Sequence, residues 1–340
     1  MADSHFAVLV GSESLLGREI RDLASTLTPG VNLHLIAADA EEPGRLTRVG
    51  DEPVALQELT ADNLSGARAI FLAGSAASSE KALKLADADS AAVIDLTFSA
   101  DERSDARLRS PMVEAQADDG ANDDLEAARI QVVAHPAAIA LALLLRRLHA
   151  NDPIRRAVVQ VFAPASEQGV AGVEELQQQT ISLLSFKPLP RAVFDGQLSF
   201  NMLARYGEEA PARLEESELR IERHLATLLN LPGEGEGAPM PSVRLLQAPV
   251  FHGYTFSIWL EFENAPEVEA VESSLAAANI EVRSGEFDPP NNVGQAGQSG
   301  IAVGAIAPDR NHAEAIWFWM AADNYRLAAE NAIALAREFL

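Results

Sequence analysis

The sequence has no cysteine among its 340 residues, and that absence excludes several kinds of chemistry. It excludes disulfide bonds, thiolate ligands for zinc or iron–sulfur clusters, and covalent catalysis by a cysteine nucleophile. The chain also lacks any apolar run near the ~20 residues that a membrane-spanning helix needs. Its first residues, MADSHFAVLVG, lack the charged region of a signal peptide. We therefore expect a cytoplasmic protein with no membrane partner.

Lysine is nearly absent, since only Lys81, Lys84 and Lys187 occur, and 26 basic residues face 50 acidic ones for a net charge of −24. A protein that binds nucleic acid needs clustered lysine and arginine, because each neutralised phosphate releases counterions. The composition therefore predicts no nucleic-acid partner and a solvated acidic surface that favours solubility. The seven histidines are scattered without the spacing of a metal site, so we expect no metal.

The first 134 residues show the alternation of strands and helices that is typical of a parallel sheet. Short apolar runs predict strands at 6–10, 32–38, 69–73, 91–95 and 130–133. Helix-like stretches separate them, the first ending near residue 27, which favours crossover helices on a parallel sheet. Residues 114–126, EAQADDGANDDLE, are polar and acidic, and we interpret them as a mobile surface loop.

After residue 134, strands and helices follow one another without strict alternation, which is typical of an α+β domain. The pattern predicts strands at 157–162, 243–250, 254–262, 301–306 and 316–320, helices at 136–148, 172–184, 265–279 and 324–340, and a loop at 232–241. The length agrees with about two domains, at ~150 residues each. The predicted fold is therefore an α/β protein with a Rossmann-like parallel-sheet domain and an α+β domain.

A glycine-containing loop follows the first predicted strand, in the position of a dinucleotide-binding turn. In Gly11-x-x-Ser14-x-x-Gly17, the first glycine permits a tight turn, and the amides of the next helix can meet a phosphate. Ser14 narrows that approach, and the carboxylate of Glu13 can fill the anion site itself. The loop is therefore either a nucleotide site or only a tight turn. Asp39 suits a ribose hydroxyl, which favours NAD. Asp39, Glu41 and Glu42 together would repel the extra phosphate of NADP.

Six segments together resemble the aspartate-semialdehyde dehydrogenase family, in the family's order and at roughly its spacing. They are VLVGSESLLG near the N-terminus, AIFLAGSAASS (69–79), SEQGVAGVEELQQQT (166–180), VFDGQLSFNML (193–203), LLQAPVFHG (245–253) and the C-terminal VGAI and WFWMAADNYRLAAENAIALA. The resemblance implies an NAD(P)-binding domain of residues 1–134 and 324–340 and a domain of residues 135–323 for catalysis and dimerisation. It also implies NADP-dependent reductive dephosphorylation of aspartyl phosphate to the semialdehyde.

The residues that carry the family's chemistry are replaced in this chain. In that family a cysteine thiolate attacks the carbonyl carbon and a histidine moves the proton. The resemblance implies that Ala137 occupies the position of the family's cysteine, Tyr254 that of its histidine and Gln247 that of a substrate-binding arginine. A methyl group has no lone pair with which to attack. Further replacements are Pro136 for an asparagine, Ala163 for a glutamine, and Asp101, close to Arg103, for a phosphate-binding arginine.

We therefore predict a catalytically silent member of the family that keeps its fold and its homodimer. Nucleotides, small acidic metabolites and partner proteins are its candidate ligands, with NAD favoured over NADP and binding of neither cofactor left open. The candidate nucleotide-binding residues are Gly11, Ser14, Leu15, Gly17, Asp39, Ala73 and Gly74. The aromatic residues that can serve either a twin subunit or the core are Trp259, Phe262, Trp317, Phe318 and Trp319.

Two alternatives stay open. The first is an NAD(P)-dependent semialdehyde dehydrogenase with altered chemistry, in which a hydroxyl of Ser166 or Tyr254 pairs with His135 or His252. The competing interpretation of both histidines is that they are hydrogen-bonded structural or surface groups. The second alternative is an N-acetyl-glutamyl-phosphate reductase, which has similar domains but needs the same missing cysteine.

Overall fold

The computed structural model describes residues 6–24, 31–39, 41–50, 52–86, 91–115, 128–285 and 287–340. These residues form two compact units. The first lies within Met1–Ala115, Asp119–Ala134 and Ala328–Leu340, and the second within His135–Leu327. No helix in the described ranges is long and apolar enough to cross a membrane.

The first unit is built on a parallel sheet, as the alternating pattern predicted. Its strands are β1 (Phe6–Val10), β2 (Asn32–Ile36), β3 (Leu46–Val49), β4 (Glu52–Ala55), β5 (Ala69–Leu72), β6 (Ala92–Asp95), β7 (Ala106–Arg109) and β8 (Ile130–Val133). Its helices are α1 (Leu15–Asp22), α2 (Ala61–Leu64), α3 (Ala76–Leu85) and α4 (Pro111–Glu114). The six-stranded sheet has the order β2-β1-β5-β6-β8-β7, and every neighbouring pair is parallel. The Rossmann-like expectation is confirmed.

Burial explains why the apolar runs form the centre of this sheet. Every residue of β5 and β6, and all of β1 except Phe6, is buried, as expected for strands covered on both faces. The sequence did not predict β7 or the β3–β4 hairpin, whose strands are short and largely exposed. The first helix ends at Asp22 rather than near residue 27, and residues 25–30 lie outside the described part of the chain.

The predicted acidic loop at 114–126 is wrong at its first residue. Glu114 ends α4 and is buried, because its carboxylate accepts hydrogen bonds from the guanidinium of Arg109 at 2.9–3.0 Å. Glu338 also pairs with Arg109, so the buried guanidinium meets two carboxylates. Residues 116–126 of the predicted loop lie outside the described residues.

The second unit carries a mixed sheet with helices. Its strands are β9 (Ile154–Ala163), β10 (Ser242–Gln247), β11 (Tyr254–Phe262), β12 (Ile280–Arg283), β13 (Ile301–Pro308) and β14 (Ala315–Ala322). Its helices are α5 (Pro136–Asn151), α6 (Gly169–Leu184), α7 (Leu214–Leu229), α8 (Val268–Leu275) and α9 (Asn292–Gln295), and α10 (Asn324–Arg337) begins here. The sheet order is β10-β9-β11-β14-β13-β12, with β10–β9 and β12–β13 parallel and the other pairs antiparallel. The α+β expectation is confirmed.

The two faces of this sheet differ in burial, because side chains alternate along each strand. Phe256, Ile258 and Phe318 point to a buried face. Trp259 lies opposite Trp317 on neighbouring strands of the other face, and Trp317 is 39% exposed. We call the partly exposed side, marked by Trp259, Trp317 and Trp319, the aromatic face. The alternation therefore separates aromatic residues that are adjacent in sequence.

Helix α5 is buried along most of its length and is the scaffold of the site described next. Pro136 occupies its first turn, where a missing N–H costs nothing, and His135 caps it. Near the other end, buried Arg146 donates to carbonyls that end α7, with the shortest bond, 2.6 Å, to Leu231. This contact holds α5 against α7, which carries His224.

Candidate functional site

The start of α5 contains Ala137, the residue that stands at the expected cysteine position, and it is fully buried. The amide of Ala137 donates to Nδ1 of His135 at 3.2 Å. The amide of His135 donates to Nδ1 of His224 at 2.9 Å, so two histidines fix the helix start. Because Nδ1 of His135 accepts a hydrogen bond, its Nε2 carries the proton in the neutral ring and faces Glu167 at 3.0 Å.

Glu167 is the acceptor at the centre of this site. It lies in a short 3-10 helix, Ala165–Gln168, and its side chain is 14% exposed. One carboxylate oxygen meets His135, and the other accepts the hydroxyl of Tyr254. Burial raises the pKa of Glu167, but His135, Tyr254 and the positive charge of Arg220 outweigh that effect and leave the pKa below its ordinary value. Glu167 is therefore a carboxylate at neutral pH.

Tyr254, at the expected histidine position, is fully buried against this carboxylate. Burial and the negative charge of Glu167 raise the pKa of its hydroxyl well above the ordinary value. The hydroxyl therefore stays protonated at neutral pH and donates to Glu167. A group in this state does not accept a proton, so it does not replace an imidazole base.

Gln247, at the expected arginine position, is buried and fully hydrogen-bonded within the chain. Its Oε1 accepts the hydroxyl of Tyr206 at 2.7 Å, and its Nε2 donates to the carbonyls of Ala163 and Ala248. An amide occupied in this way has no charge and no free donor for an anionic substrate. Ala163, another replaced position, contributes only its backbone carbonyl.

The two candidate histidines contact different carboxylates. His135 contacts Glu167, and its ring lies 6.0 Å from that of Tyr254. His252 instead places Nδ1 3.3 Å from the hydroxyl of Ser166 and Nε2 2.9 Å from the carboxylate of Asp323. Sequence reasoning missed Glu167 and Asp323, because no local pattern relates residues 32 or 71 positions distant from their histidines.

In the first unit, the glycine loop is shaped by close contact with the end of β5. A Cβ on Gly11, whose φ is +87°, would lie 2.3 Å from Cα of Gly74, and a Cβ on Gly17 would lie 2.1 Å from the carbonyl oxygen of Gly11. Ser14 caps α1 by accepting the amide of Gly17 at 2.8 Å and donates to the carbonyl of Ala73 at 2.7 Å. Packing alone therefore requires these glycines, and Leu15 opens the helix that follows.

The carboxylate beside this loop belongs to Glu41 rather than to Glu13. Glu41 accepts the amide of Glu13 at 2.9 Å and the amide of Ala38 at 3.1 Å. The side chain of Glu13 pairs with Arg21 at 2.6 Å, and although burial raises its pKa, this guanidinium and other hydrogen bonds lower it overall. The expectation that Glu13 fills the anion site is therefore wrong. Asp39 accepts the hydroxyl of Ser75 at 3.0 Å.

Arg103, the cation nearest to the expected phosphate-binding arginine, is engaged on the surface. Its guanidinium binds the carboxylate of Asp105 through two hydrogen bonds of 2.9 and 2.6 Å. Asp101 lies two residues before it, in the turn after β6. Among the residues that the structure describes, no three His, Asp or Glu side chains gather to hold a metal ion.

Comparisons with known proteins agree on one family. A family model described as the dimerisation domain of semialdehyde dehydrogenase matches residues 145–327 of this chain. A "USG-1 protein homolog" of Pseudomonas aeruginosa is 31% identical over 308 residues, which cover 89% of this chain and 88% of that protein. An aspartate-semialdehyde dehydrogenase of Rickettsia bellii is 25% identical over 350 residues, which cover 100% of this chain and 99% of that protein. The solved structure of a probable aspartate-semialdehyde dehydrogenase from P. aeruginosa has a TM-score of 0.83 at 27% identity, covering 98% of this chain and 97% of that one.

Proposed function

This chain belongs to the aspartate-semialdehyde dehydrogenase family, and from that membership we propose that it is a member without the family's dehydrogenase activity. The observation that carries the proposal is the buried methyl group of Ala137 at the start of α5, with Tyr254 and Gln247 buried and hydrogen-bonded within the chain. A nucleophile is worth several orders of magnitude in rate. Here the nucleophile, the base and the substrate-binding cation are all replaced.

The charge of Glu167 supports the same conclusion. Its carboxylate fills the space between His135 and Tyr254, directly beside the start of α5. An anionic acyl phosphate substrate placed there would face a fixed negative charge, which repels it. The cluster is therefore satisfied internally and unsuited to the family's substrate.

The test is a turnover assay with aspartyl phosphate and NADPH, and in reverse with the semialdehyde, phosphate and NADP or NAD. We expect no turnover above the rate without protein. The Ala137→Cys variant should stay inactive as well, because Tyr254 still occupies the place of the base. A relative that retains the cysteine is the positive control. Turnover near ordinary enzyme values, ~1–10³ per second, would instead support a dehydrogenase with altered chemistry.

We propose that the first unit is the nucleotide-binding domain and that it accepts NAD in preference to NADP. In this fold, an acidic residue after the second strand binds the hydroxyls of the adenosine ribose. The carboxylate of Glu41 accepts the amides of Glu13 and Ala38, so we assign it the role of this acidic residue. The carboxylate of Asp39 instead accepts the hydroxyl of Ser75. These residues fit neutral ribose hydroxyls and do not fit an additional phosphate.

Fluorescence titration of NADH and NADPH tests this preference. We expect NADH to bind at least about ten-fold more tightly, because the carboxylate of Glu41 repels the extra phosphate. Glu41→Ser should reduce the difference in affinity between NADH and NADPH. Glu52→Ser, which changes an exposed glutamate on β4, should leave that difference unchanged. Tighter binding of NADPH would contradict the assignment, and binding of neither nucleotide at millimolar concentration would make the unit a scaffold.

We propose that the second unit forms a homodimer through its aromatic face. The family model that covers it describes a dimerisation domain. The buried side of the sheet takes Phe262 and Phe318 into the core of the unit, whereas Trp317 is 39% exposed opposite Trp259. Aromatic residues are enriched at interfaces between protein chains, and a C2 dimer would pair this face with itself.

A further inference from the structure

Ser166, His252 and Asp323 form a hydrogen-bonded chain that the proposed function does not use. The hydroxyl of Ser166 lies 3.3 Å from Nδ1 of His252, and Nε2 of the same ring lies 2.9 Å from the carboxylate of Asp323. The three residues come from the 3-10 helix after β9, the loop before β11 and the junction between β14 and α10. All three belong to the second unit.

The carboxylate is fixed before it meets the ring. Asp323 accepts the amides of Gly297 at 2.7 Å, Tyr325 at 2.9 Å and Arg326 at 3.0 Å. Burial raises the pKa of Asp323, but His252 and these amides outweigh that effect and leave it below the ordinary value. An ionised Asp323 keeps the imidazole proton on Nε2, so the lone pair of Nδ1 faces the serine hydroxyl.

The serine and the ring are also positioned by neighbours. Nδ2 of Asn324 donates to the hydroxyl oxygen of Ser166 at 3.2 Å, and the hydroxyl of Tyr325 donates to the serine's carbonyl at 2.5 Å. The ring of Tyr325 lies 5.3 Å from that of His252. A nucleophile, a base and a carboxylate that orients the base are therefore in hydrogen-bonding order, with an amide donor at the reacting oxygen.

We propose that Ser166 is a nucleophile for small esters, with His252 as its base and Asp323 as the residue that positions the base. The serine oxygen bonds to the acyl carbon while its proton passes to Nδ1 of His252. The ring then gives this proton to the departing alkoxide, which leaves as an alcohol while the acyl group stays on the serine. In the second half, water loses a proton to the same nitrogen and attacks the acyl carbon. The acyl–serine bond breaks, the carboxylic acid leaves, and the ring returns the proton to the serine oxygen, so no further reactant is needed.

Burial and charge define the class of ester. Ser166 is 1% exposed and the side chain of His252 is 31% exposed, so a short acyl group such as acetyl is favoured over a long chain. Asp323 contacts the base of the serine, and Glu167 follows Ser166 in the chain, so these two carboxylates disfavour an anionic acyl group. This activity is independent of the missing dehydrogenase chemistry, which needs neither Ser166 nor His252.

The experiment treats the unaltered full-length protein with p-nitrophenyl acetate and, separately, with a small fluorophosphonate, and maps the modified peptide by mass spectrometry. We expect modification at Ser166 and release of p-nitrophenol. Ser166→Ala should lower that release about a thousand-fold, and His252→Gln and Asp323→Asn should each lower it at least about a hundred-fold.

Matched controls separate this site from general surface reactivity. Ser185→Ala changes an exposed serine, and His312→Gln changes a partly exposed histidine that pairs with Glu314. Neither substitution should alter the rate of p-nitrophenol release. Circular dichroism shows whether each variant is folded. Absence of modification at Ser166 in the unaltered protein, or release that Ser166→Ala leaves unchanged, would overturn the proposal, and the first result does not depend on any variant folding.

Discussion

Replacement of Glu167 by alanine lowers the free energy of unfolding by about 3 kcal/mol at neutral pH. The change leaves the Nε2–H of His135 and the hydroxyl of buried Tyr254 without their acceptor. Breaking a buried pair by removing one partner costs about 3–5 kcal/mol, and the low end applies because the Glu167 side chain keeps 14% exposure. Urea unfolding followed by circular dichroism measures the loss.

The same residue makes stability depend on pH in a defined direction. Because the pKa of Glu167 is lower in the folded protein than in the unfolded chain, its ionised form stabilises the fold at neutral pH. That contribution is complete above the unfolded value of about 4.3 and is lost as the pH falls through the folded value. The Glu167→Gln variant has no carboxylate to protonate at this position. Its free energy of unfolding should therefore fall less than that of the unaltered protein as the pH is lowered.

The matched control is Glu208→Ala, which removes an exposed carboxylate from the same unit. It should change the unfolding free energy by no more than about 0.5 kcal/mol, as is usual for a surface site. Equal effects of the two substitutions would show that the Glu167 contacts contribute nothing to stability.

Substitution of Trp317 by glutamate raises the dissociation constant of the proposed homodimer about a thousand-fold. The change places a carboxylate on the aromatic face beside Trp259, and removal of a charge from water costs several kcal/mol. In a C2 dimer each substitution occurs twice in one interface, so about 2 kcal/mol per copy gives the thousand-fold effect.

Light scattering or analytical ultracentrifugation across a range of concentrations measures this change. The control is Leu46→Glu, which puts the same charge at an apolar side chain that is also exposed but lies on β3 of the first unit. A dimer that survives Trp317→Glu would place the interface elsewhere, and a monomer at micromolar concentration in the unaltered protein would remove the interface altogether.

Five strands of the parallel sheet in the first unit, β1, β2, β5, β6 and β8, followed directly from the sequence, because each is a largely apolar run. The ends of elements were harder to predict. Residues 276–279, AAAN, continue a good helical pattern after α8, yet the helix stops at Leu275. Ala277 instead bridges to Ile280, where β12 begins its pairing with β13. Hydrogen bonds to a strand distant in sequence outweighed the local helical preference there.

Some residues of the candidate sites were likewise predicted from the sequence, and others were found only in the structure. Ala137, Tyr254 and Gln247 were identified from the sequence because they interrupt a known order of motifs. Glu167 was not, although it is a plain carboxylate in the sequence, since its importance depends on which hydroxyl and which ring lie within hydrogen-bonding distance. The sequence indicated Glu41 only as one of the carboxylates that would repel NADP, and the structure adds its contacts with the amides of Glu13 and Ala38. Only the folded chain brings those groups together.

The sequence by itself determined that cysteine chemistry is absent and that the first unit has a parallel sheet, and it predicted which side chains stand at the family's chemical positions. These conclusions depend on residue type and local order, which folding does not change. The tertiary structure decided that Tyr254 meets a buried carboxylate, that Glu41 accepts an amide of the glycine loop, and that Ser166 meets His252. Hydrogen bonding and desolvation depend on distances between residues far apart in the chain, and only the fold sets those distances.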